Sequence, residues 1–217
     1  MKIAADEVIH LLHHADQATL ATQSLQMPGY PYASVVPCIL DEAHCPILLI
    51  SALAEHTKNV LADPRTSLSV VQADADNVQA AARVSIQGDC ERFEPSAELV
   101  ARYLRYLPEA EDYLALDFMF FRMQAARLRF ISGPGRMGWL ESDDWRSVHA
   151  LSAADEIALL SALQTTLPDN VQLLGADRYG IDCTVSGLRV RQAFGAVATS
   201  IAALDTLATQ ALVALTT

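Results

Sequence analysis

The segment Ile50-Ser51-Ala52-Leu53-Ala54-Glu55-His56-Thr57-Lys58-Asn59 gathers most of the chemistry that this chain advertises. It carries hydroxyls at Ser51 and Thr57, an imidazole at His56 and an ammonium at Lys58. The pattern predicts a buried strand that ends at Ser51 and a short helix that begins near Ala54. A helix start presents free N–H groups and the positive end of the helix dipole. Fixed donors beside a positive charge suit a phosphate or another small anion. On composition alone the alternative stays open, a solvated helix start with ordinary polar residues.

Other candidates are weaker. His10, His13 and His14 fall at i, i+3 and i+4, a spacing at which helical side chains share a face as metal or haem ligands would. With no carboxylate at ligand spacing except Asp6 or Asp16, the expectation is an amphipathic helix with His13 and His14 facing solvent, and no metal site is assigned. His44 falls in a predicted turn and is expected at the surface. Arg102 and Arg105 could contact an anionic ligand, but a solvated or interface face is expected. The cluster Phe118, Met119, Phe120, Phe121 and Met123 is expected in the core or in dimer packing. No Ser/His/Asp or Cys/His pattern supports nucleophilic catalysis. Cys38, Cys45, Cys90 and Cys183 are scattered with no Cys-x-x-Cys, as buried reduced thiols of a cytoplasmic protein would be.

The elements that must position these groups can be traced along the chain. Ala4 to Ala15 is helical by the spacing of Ile3, Val8, Leu11 and Leu12. Strands are expected over 17–22 and 33–40, with Pro37 hinting at an edge or bulge, and over the continuous apolar run 46–51. A short helix (54–61) and strands at 67–72 and 83–93 follow, with a loop over 73–82. Ser96 is placed to cap a helix that runs to Tyr106. A second short helix is expected at 108–115, then strands at 118–123 and 127–131. Residues 139–147 are polar and look like a boundary. Beyond them the pattern reads helix (155–167), three short strands, and a long Ala/Leu helix capped by Ser200.

The expected fold class is therefore α+β: an antiparallel split β-barrel with peripheral helices over residues 1–148, then a small α-β-β-β-α domain over 149–217. Strands mostly antiparallel with helices between them favour a barrel over a parallel sheet. No strand is followed by Gly-x-Gly-x-x-Gly, so a Rossmann nucleotide site is unsupported.

Composition sets outer limits. Of 217 residues 52% are apolar, enough for a real core, and the formal net charge is −11. Both parts are acidic, which argues against a broad nucleic-acid surface and a polybasic membrane anchor. No run approaches the ~18 apolar residues of a membrane span, and the acidic start lacks a signal-peptide core. Only Lys2 and Lys58 are Lys, and the remaining basic residues are Arg.

Three stretches carry a family resemblance: Tyr32-Ala33-Ser34-Val35-Val36-Pro37, the segment Leu49 to Asn59, and Ala62-Asp63-Pro64-Arg65. Together they resemble the FMN-binding split-barrel superfamily of pyridoxamine 5′-phosphate oxidase, and within it the HugZ-type haem-utilisation branch. Arg83 to Gly88 and Gly133-Pro134-Gly135-Arg136-Met137-Gly138-Trp139 continue the match, and Gly187-Leu188-Arg189-Val190-Arg191 with Phe194 resembles the branch's fused C-terminal unit. The resemblance implies that Ser34 and Val35 pass the flavin phosphate and ring. It implies that Ser51 ends a strand against the flavin, that His56, Thr57 and Lys58 grip the FMN phosphate, and that Arg83 lies near the flavin. It also implies a homodimer with the cofactor at the subunit interface.

The chain departs from the branch at Pro134, where an aromatic is usual, and over Leu151 to Glu156, where the branch has His-Met-Asn-x-Asp-His. It has no His after His149, so the branch's late haem-ligating histidine is missing. Three functions follow as expectations. The first is an FMN-dependent oxidoreductase acting on a small-molecule substrate. The second is a haem-binding or haem-degrading protein of iron acquisition. The third is a non-catalytic binding protein whose cofactor site has decayed.

Overall fold

The computed structural model describes residues 3–73, 77–133, 135–165 and 167–216. The chain runs α1 (Ala5–His14), β1 (Gln17–Gln23), β2 (Pro31–Pro37), β3 (Ile39–Leu40), β4 (Pro46–Ser51), α2 (Glu55–Ala62), β5 (Arg65–Val71) and β6 (Arg83–Arg92). It continues with α3 (Ala97–Tyr106), a 3-10 helix (Pro108–Ala115), β7 (Phe118–Ile131), β8 (Met137–Glu141) and α4 (Ser142–Arg146). The last elements are α5 (Ala153–Gln164), β9 (Val171–Ala176), β10 (Gly180–Val185), β11 (Leu188–Ala193) and α6 (Ile201–Thr216). Part of the expected 73–82 loop, residues 74–76, and Pro134 lie outside the described residues.

The architecture is the expected α+β one. Eight strands form one curled antiparallel sheet in the order β2-β1-β5-β6-β7-β4-β3, with β8 also paired to β7. Strand β2 ends that order, which explains how Pro31 and Pro37 are tolerated: an edge strand needs only one side of its backbone donors. The continuous apolar run of β4 is explained by burial on both faces. Leu48 and Ile50 join the barrel core with Val8, Leu12 and Phe121. Ile47 and Leu49 face the other way, into a cluster with Tyr103, Tyr106 and Phe120 under α3. Ser96 caps α3 as expected, its side chain accepting from the Leu99 N–H at 3.2 Å. All four cysteines are free and buried.

Two expectations are corrected here. The strands at 118–123 and 127–131 are one continuous β7, carried through a bulge. Gln87 pairs with Arg127 and Gly88 with Ala125, so Ala126 has no partner in β6. The extra residue reverses the parity of the strand: Phe121 and Met123 point into the core before it, Leu128 and Phe130 after it. Second, the stretch Trp139 to Ser147, expected as a polar boundary, carries regular structure. Its first part belongs to β8, which pairs with β7, and its second part forms α4, which buries Trp145 against the barrel. The strand is short, and its exposed face is Met137, Trp139 and Glu141, so its alternation is of burial rather than of polarity.

The three strands β11-β10-β9 form a second sheet, packed with α5 and α6 around Leu159, Leu163, Ile181, Cys183 and Leu204. The two sheets interlock. Leu174 of β9 enters the cluster of Tyr103 and Phe120, and Tyr179 enters the barrel core. Among the described residues, no helix is long and apolar enough to cross a membrane.

Gly88 is fixed by the bulge. A Cβ there would lie 1.9 Å from the backbone oxygen of Gln124. Since backbone cannot yield as a side-chain tip can, Gly88→Ala should cost at least ~1–3 kcal/mol. Urea unfolding monitored by circular dichroism checks this, and a midpoint equal to that of the natural chain would contradict the bulge geometry.

Candidate functional site

Two constellations stand out, one an open cleft and the other a buried polar network. The cleft has a volume of about 310 Å³ and lies between β2, the end of β4, the start of α2 and the 3-10 helix. Its walls are mainly apolar: Val35, Pro37, Leu49, Leu107 and Phe118, with Tyr103 and Tyr113. Tyr113 stacks on Phe118 with centroids 4.6 Å apart. His56 lines the cleft, and its Nδ1 is 3.0 Å from Ser34 Oγ. Partial burial lowers the His56 pKa, so the ring is neutral at pH 7. With Nδ1 engaged by Ser34, Nε2 is the nitrogen left for a ligand.

The structure brings together some of the expected site residues and separates others. Val35, Ser51 and His56 line one cleft, with Ser34 behind His56. Ser51 Oγ accepts from the Leu53 N–H at 3.2 Å, which shapes the turn into α2. Thr57 is fully buried, and its hydroxyl has no hydrogen-bond partner. Lys58 is exposed and does not line the cleft. Two residues from His56 at about 100° per residue, it projects from the opposite side of α2. Arg83 also lies elsewhere: its Nη1 donates to the carbonyls of Val78, Gln79 and Ala81 at 3.0, 3.4 and 3.3 Å. Asn59 has a structural role, accepting from the Leu25 N–H and donating to Thr22 Oγ1, each at 3.0 Å. Sequence reasoning missed Tyr113 and Phe118 as walls, because only tertiary folding brings the 3-10 helix beside β2.

The buried network overturns three expectations. His13 does not face solvent, His44 is not at the surface, and Arg102 is not solvated: they are 3%, 1% and 5% exposed. The acidic partners of His13 and Arg102 come from β10, from the turn after β9 and from α5. His13 Nδ1 is 2.9 Å from Asp182 Oδ2, and its Nε2 is 3.2 Å from His44 Nδ1 and 3.1 Å from Asp177 Oδ2. Arg191 donates to Asp177 Oδ2 at 2.8 Å and to Asp182 Oδ1 at 2.9 Å, while Tyr106 Oη donates to Asp182 Oδ2 at 2.6 Å. Burial alone would raise the Asp177 pKa, but Arg191 and His13 outweigh it and hold the carboxyl at about 2. Burial pushes His44 down to about 3.

Alongside, Arg102 pairs with Glu156, and Arg105 Nη2 lies 3.3 Å from the second Glu156 oxygen. Arg102 Nε also donates to the Leu40 carbonyl at 2.9 Å. Gly175 makes room for this packing: a Cβ there would meet Tyr106 Oη at 2.3 Å and Glu156 Oε1 at 2.8 Å.

Comparison with known proteins bears on the cleft. The family model described as pyridoxamine 5′-phosphate oxidase matches residues 4–132. HOZ, a chloroplast heme oxygenase of Arabidopsis thaliana, is 32% identical over 130 residues, which cover 59% of this chain and 40% of that protein. The chain thus spans well under half the length of this relative. A solved heme binding protein from Mycobacterium smegmatis is 25% identical with a TM-score of 0.62, covering 100% of this chain and 99% of that one. The protein Atu2129 of Agrobacterium tumefaciens, of unknown function, shares the fold at 19% identity and a TM-score of 0.74, over 95% of this chain and 94% of that one.

The Arg102–Glu156 pair generates a test of the network. Glu156→Ala leaves a buried guanidinium without its main partner and should cost ~3–5 kcal/mol. The double variant Arg102→Leu/Glu156→Leu removes both charges and should recover a large part of that loss. Urea midpoints distinguish the two, and a double variant no more stable than Glu156→Ala would contradict the pairing.

Proposed function

We propose that this chain, which belongs to the pyridoxamine 5′-phosphate oxidase family, binds haem against the cleft, where the His56 imidazole would hold it. The observation that carries this is the His56–Ser34 pair at 3.0 Å on the rim of an apolar cleft. A metal-ligating imidazole is commonly oriented through its second nitrogen, and a neutral ring is the form that ligates. The stacked pair Tyr113–Phe118 supplies a flat wall for a ring system. The relatives named as a heme oxygenase and a heme binding protein support haem as the class of ligand. When bound, the haem iron would supply the redox and oxygen chemistry, while the protein tunes it through the axial ligand and the polarity around it.

FMN is the second reading, favoured by one observation. The first turn of α2 has no side-chain cap, so its N–H groups are available to an anion. Against it stands the placement of positive charge. Lys58 faces away, Arg83 is bound to carbonyls, and Arg65 is paired with Asp63 at 2.5 Å, while Glu109 lines the cleft. A phosphate dianion would then depend on backbone dipoles and hydroxyls, whereas a haem gains an iron–nitrogen bond and can leave its propionates in water. In either case Val35, 63% exposed on the cleft wall, leaves the site open. A second copy of the chain closes it in this proposal, making the working form a homodimer.

Hemin titration tests the assignment. The expected result is a shifted Soret band saturating at one haem per chain, with an affinity reduced about tenfold or more (roughly 1.4 kcal/mol) in His56→Ala. An unshifted band overturns haem binding. An equal affinity in His56→Ala removes His56 as ligand, and a flavin spectrum in the purified protein favours the second reading.

A further inference from the structure

The buried network contains a geometric feature that its ion pairs do not explain. Three electron-pair donors converge on one point: His13 Nε2, His44 Nδ1 and Asp177 Oδ2. Their ligand atoms all lie within 4.8 Å of one another, and all three residues are buried. They come from α1, from the β3–β4 turn and from the β9–β10 turn, so they are brought together only by tertiary folding.

Each of the three atoms has a polar neighbour, and all three turn toward one another. Asp182 accepts from His13 Nδ1–H, so the Nε2 of a neutral His13 carries a lone pair. That lone pair faces a carboxylate oxygen at 3.1 Å and His44 Nδ1 at 3.2 Å. Arg191 donates to Asp177 Oδ2 at 2.8 Å, and a cation at this point would engage that oxygen's second lone pair together with both ring nitrogens. His44 Nε2 is itself buried without a partner, which leaves Nδ1 as the working nitrogen of that ring.

The distances also fit. Zinc bonds its N and O ligands at about 2.0–2.1 Å in a tetrahedron, whose ligand–ligand edge is then about 3.3 Å. The two measured edges are 3.1 and 3.2 Å. Outer contacts orient each ligand. Asp182 holds the His13 ring. The backbone N–H groups of Tyr179 and Gly180 donate to Asp177 Oδ1 at 2.7 and 3.0 Å. The rings of Trp145 and Tyr179 meet His44 edge-on. A carboxylate behind a ligating histidine is a recurrent support for a bound metal. The charge count permits a cation. Arg191 is shared by two carboxylates, Asp177 and Asp182, and Arg102 is paired with Glu156.

We infer that His13, His44 and Asp177 form a divalent-cation site of zinc type, separate from the cleft, that clamps the second sheet onto the barrel. Three protein ligands leave one position of the tetrahedron for water. The site is closed by packed side chains, which gives the ion a structural role.

Cobalt(II) titration of chelator-dialysed protein is the test, with zinc as competitor. The expected result is one equivalent bound per chain with the visible absorption of a four-coordinate ion. His44→Phe keeps an aromatic ring between Trp145 and Tyr179. It and Asp177→Asn should each lose about 100-fold or more in affinity, while His10→Ala/His14→Ala should not. Zinc should raise the melting temperature of the natural chain and not that of His44→Phe. Absence of stoichiometric binding, or binding lost only with His10 and His14, overturns the site. Should the ligand variants fail to fold, zinc X-ray absorption of the natural chain decides: two imidazoles in the coordination shell support the site, and a shell without imidazole overturns it.

Discussion

The constraint on which most of this structure depends is the desolvation of charge between the two sheets. Asp177, Asp182, Glu156, Arg102 and His13 are all nearly sealed from water. Removing an ion from water costs several kcal/mol even after relaxation, so each such group must meet its complement. The complements lie on the other side of the junction: His13 on α1 meets β10, and Arg102 on α3 meets α5. Docking the second sheet therefore completes the first. Without it, α1 and α3 would present an imidazole and a guanidinium to water, and it is the docking that obliges them to meet acidic partners. Apolar packing follows the same junction, with Leu174 and Tyr179 entering clusters built mainly by the barrel.

Local patterns made the strands and helices legible, because burial on one or both faces leaves a mark on the chain. The run Pro46 to Ser51 is apolar throughout since β4 is covered twice, and Ser96 announces α3 through its cap. What failed was long-range. No local signal separates a solvent-facing His13 from one whose partner is Asp182, 169 positions away. Arg102 forms a basic pair with Arg105 that suggests a wet or interface face, yet its guanidinium meets Glu156 from 54 positions further on. The bulge in β7 was hidden for a related reason. One unpaired residue, Ala126, shifts the parity, and so a single strand imitates two.

The candidate site divides along the same line. Ser51 and His56 can be read together because a strand end and a helix start are local features, whereas Ser34, in the middle of β2, enters only through the family resemblance. Lys58 and Arg83 could not be placed, since their chemistry depends on which way a side chain leaves its element. The rotation of α2 turns Lys58 out, and the carbonyls of residues 78–81 take up Arg83. A residue type suited to an anion is thus a weak guide until its existing partners are known.

The same principle explains why an acidic chain carries almost no Lys. A buried cation that must serve several acceptors at once needs a rigid, planar fork of donors, which guanidinium has and ammonium lacks. Arg191 bonds Asp177, Asp182 and His10 together, and Arg102 bonds Glu156 and the Leu40 carbonyl. Arg122 pairs with Asp41 while lying over the Phe93 ring, and Arg189 donates to the His13 carbonyl while lying over Tyr106. In each case one side chain stitches elements distant in sequence, a task for which a single point charge on a flexible stem is poorly suited. Lys58, facing solvent, has no such task. At these positions Arg suits the task of joining distant elements through polar contacts, whereas Arg65, Arg92 and Arg146 pair at the surface.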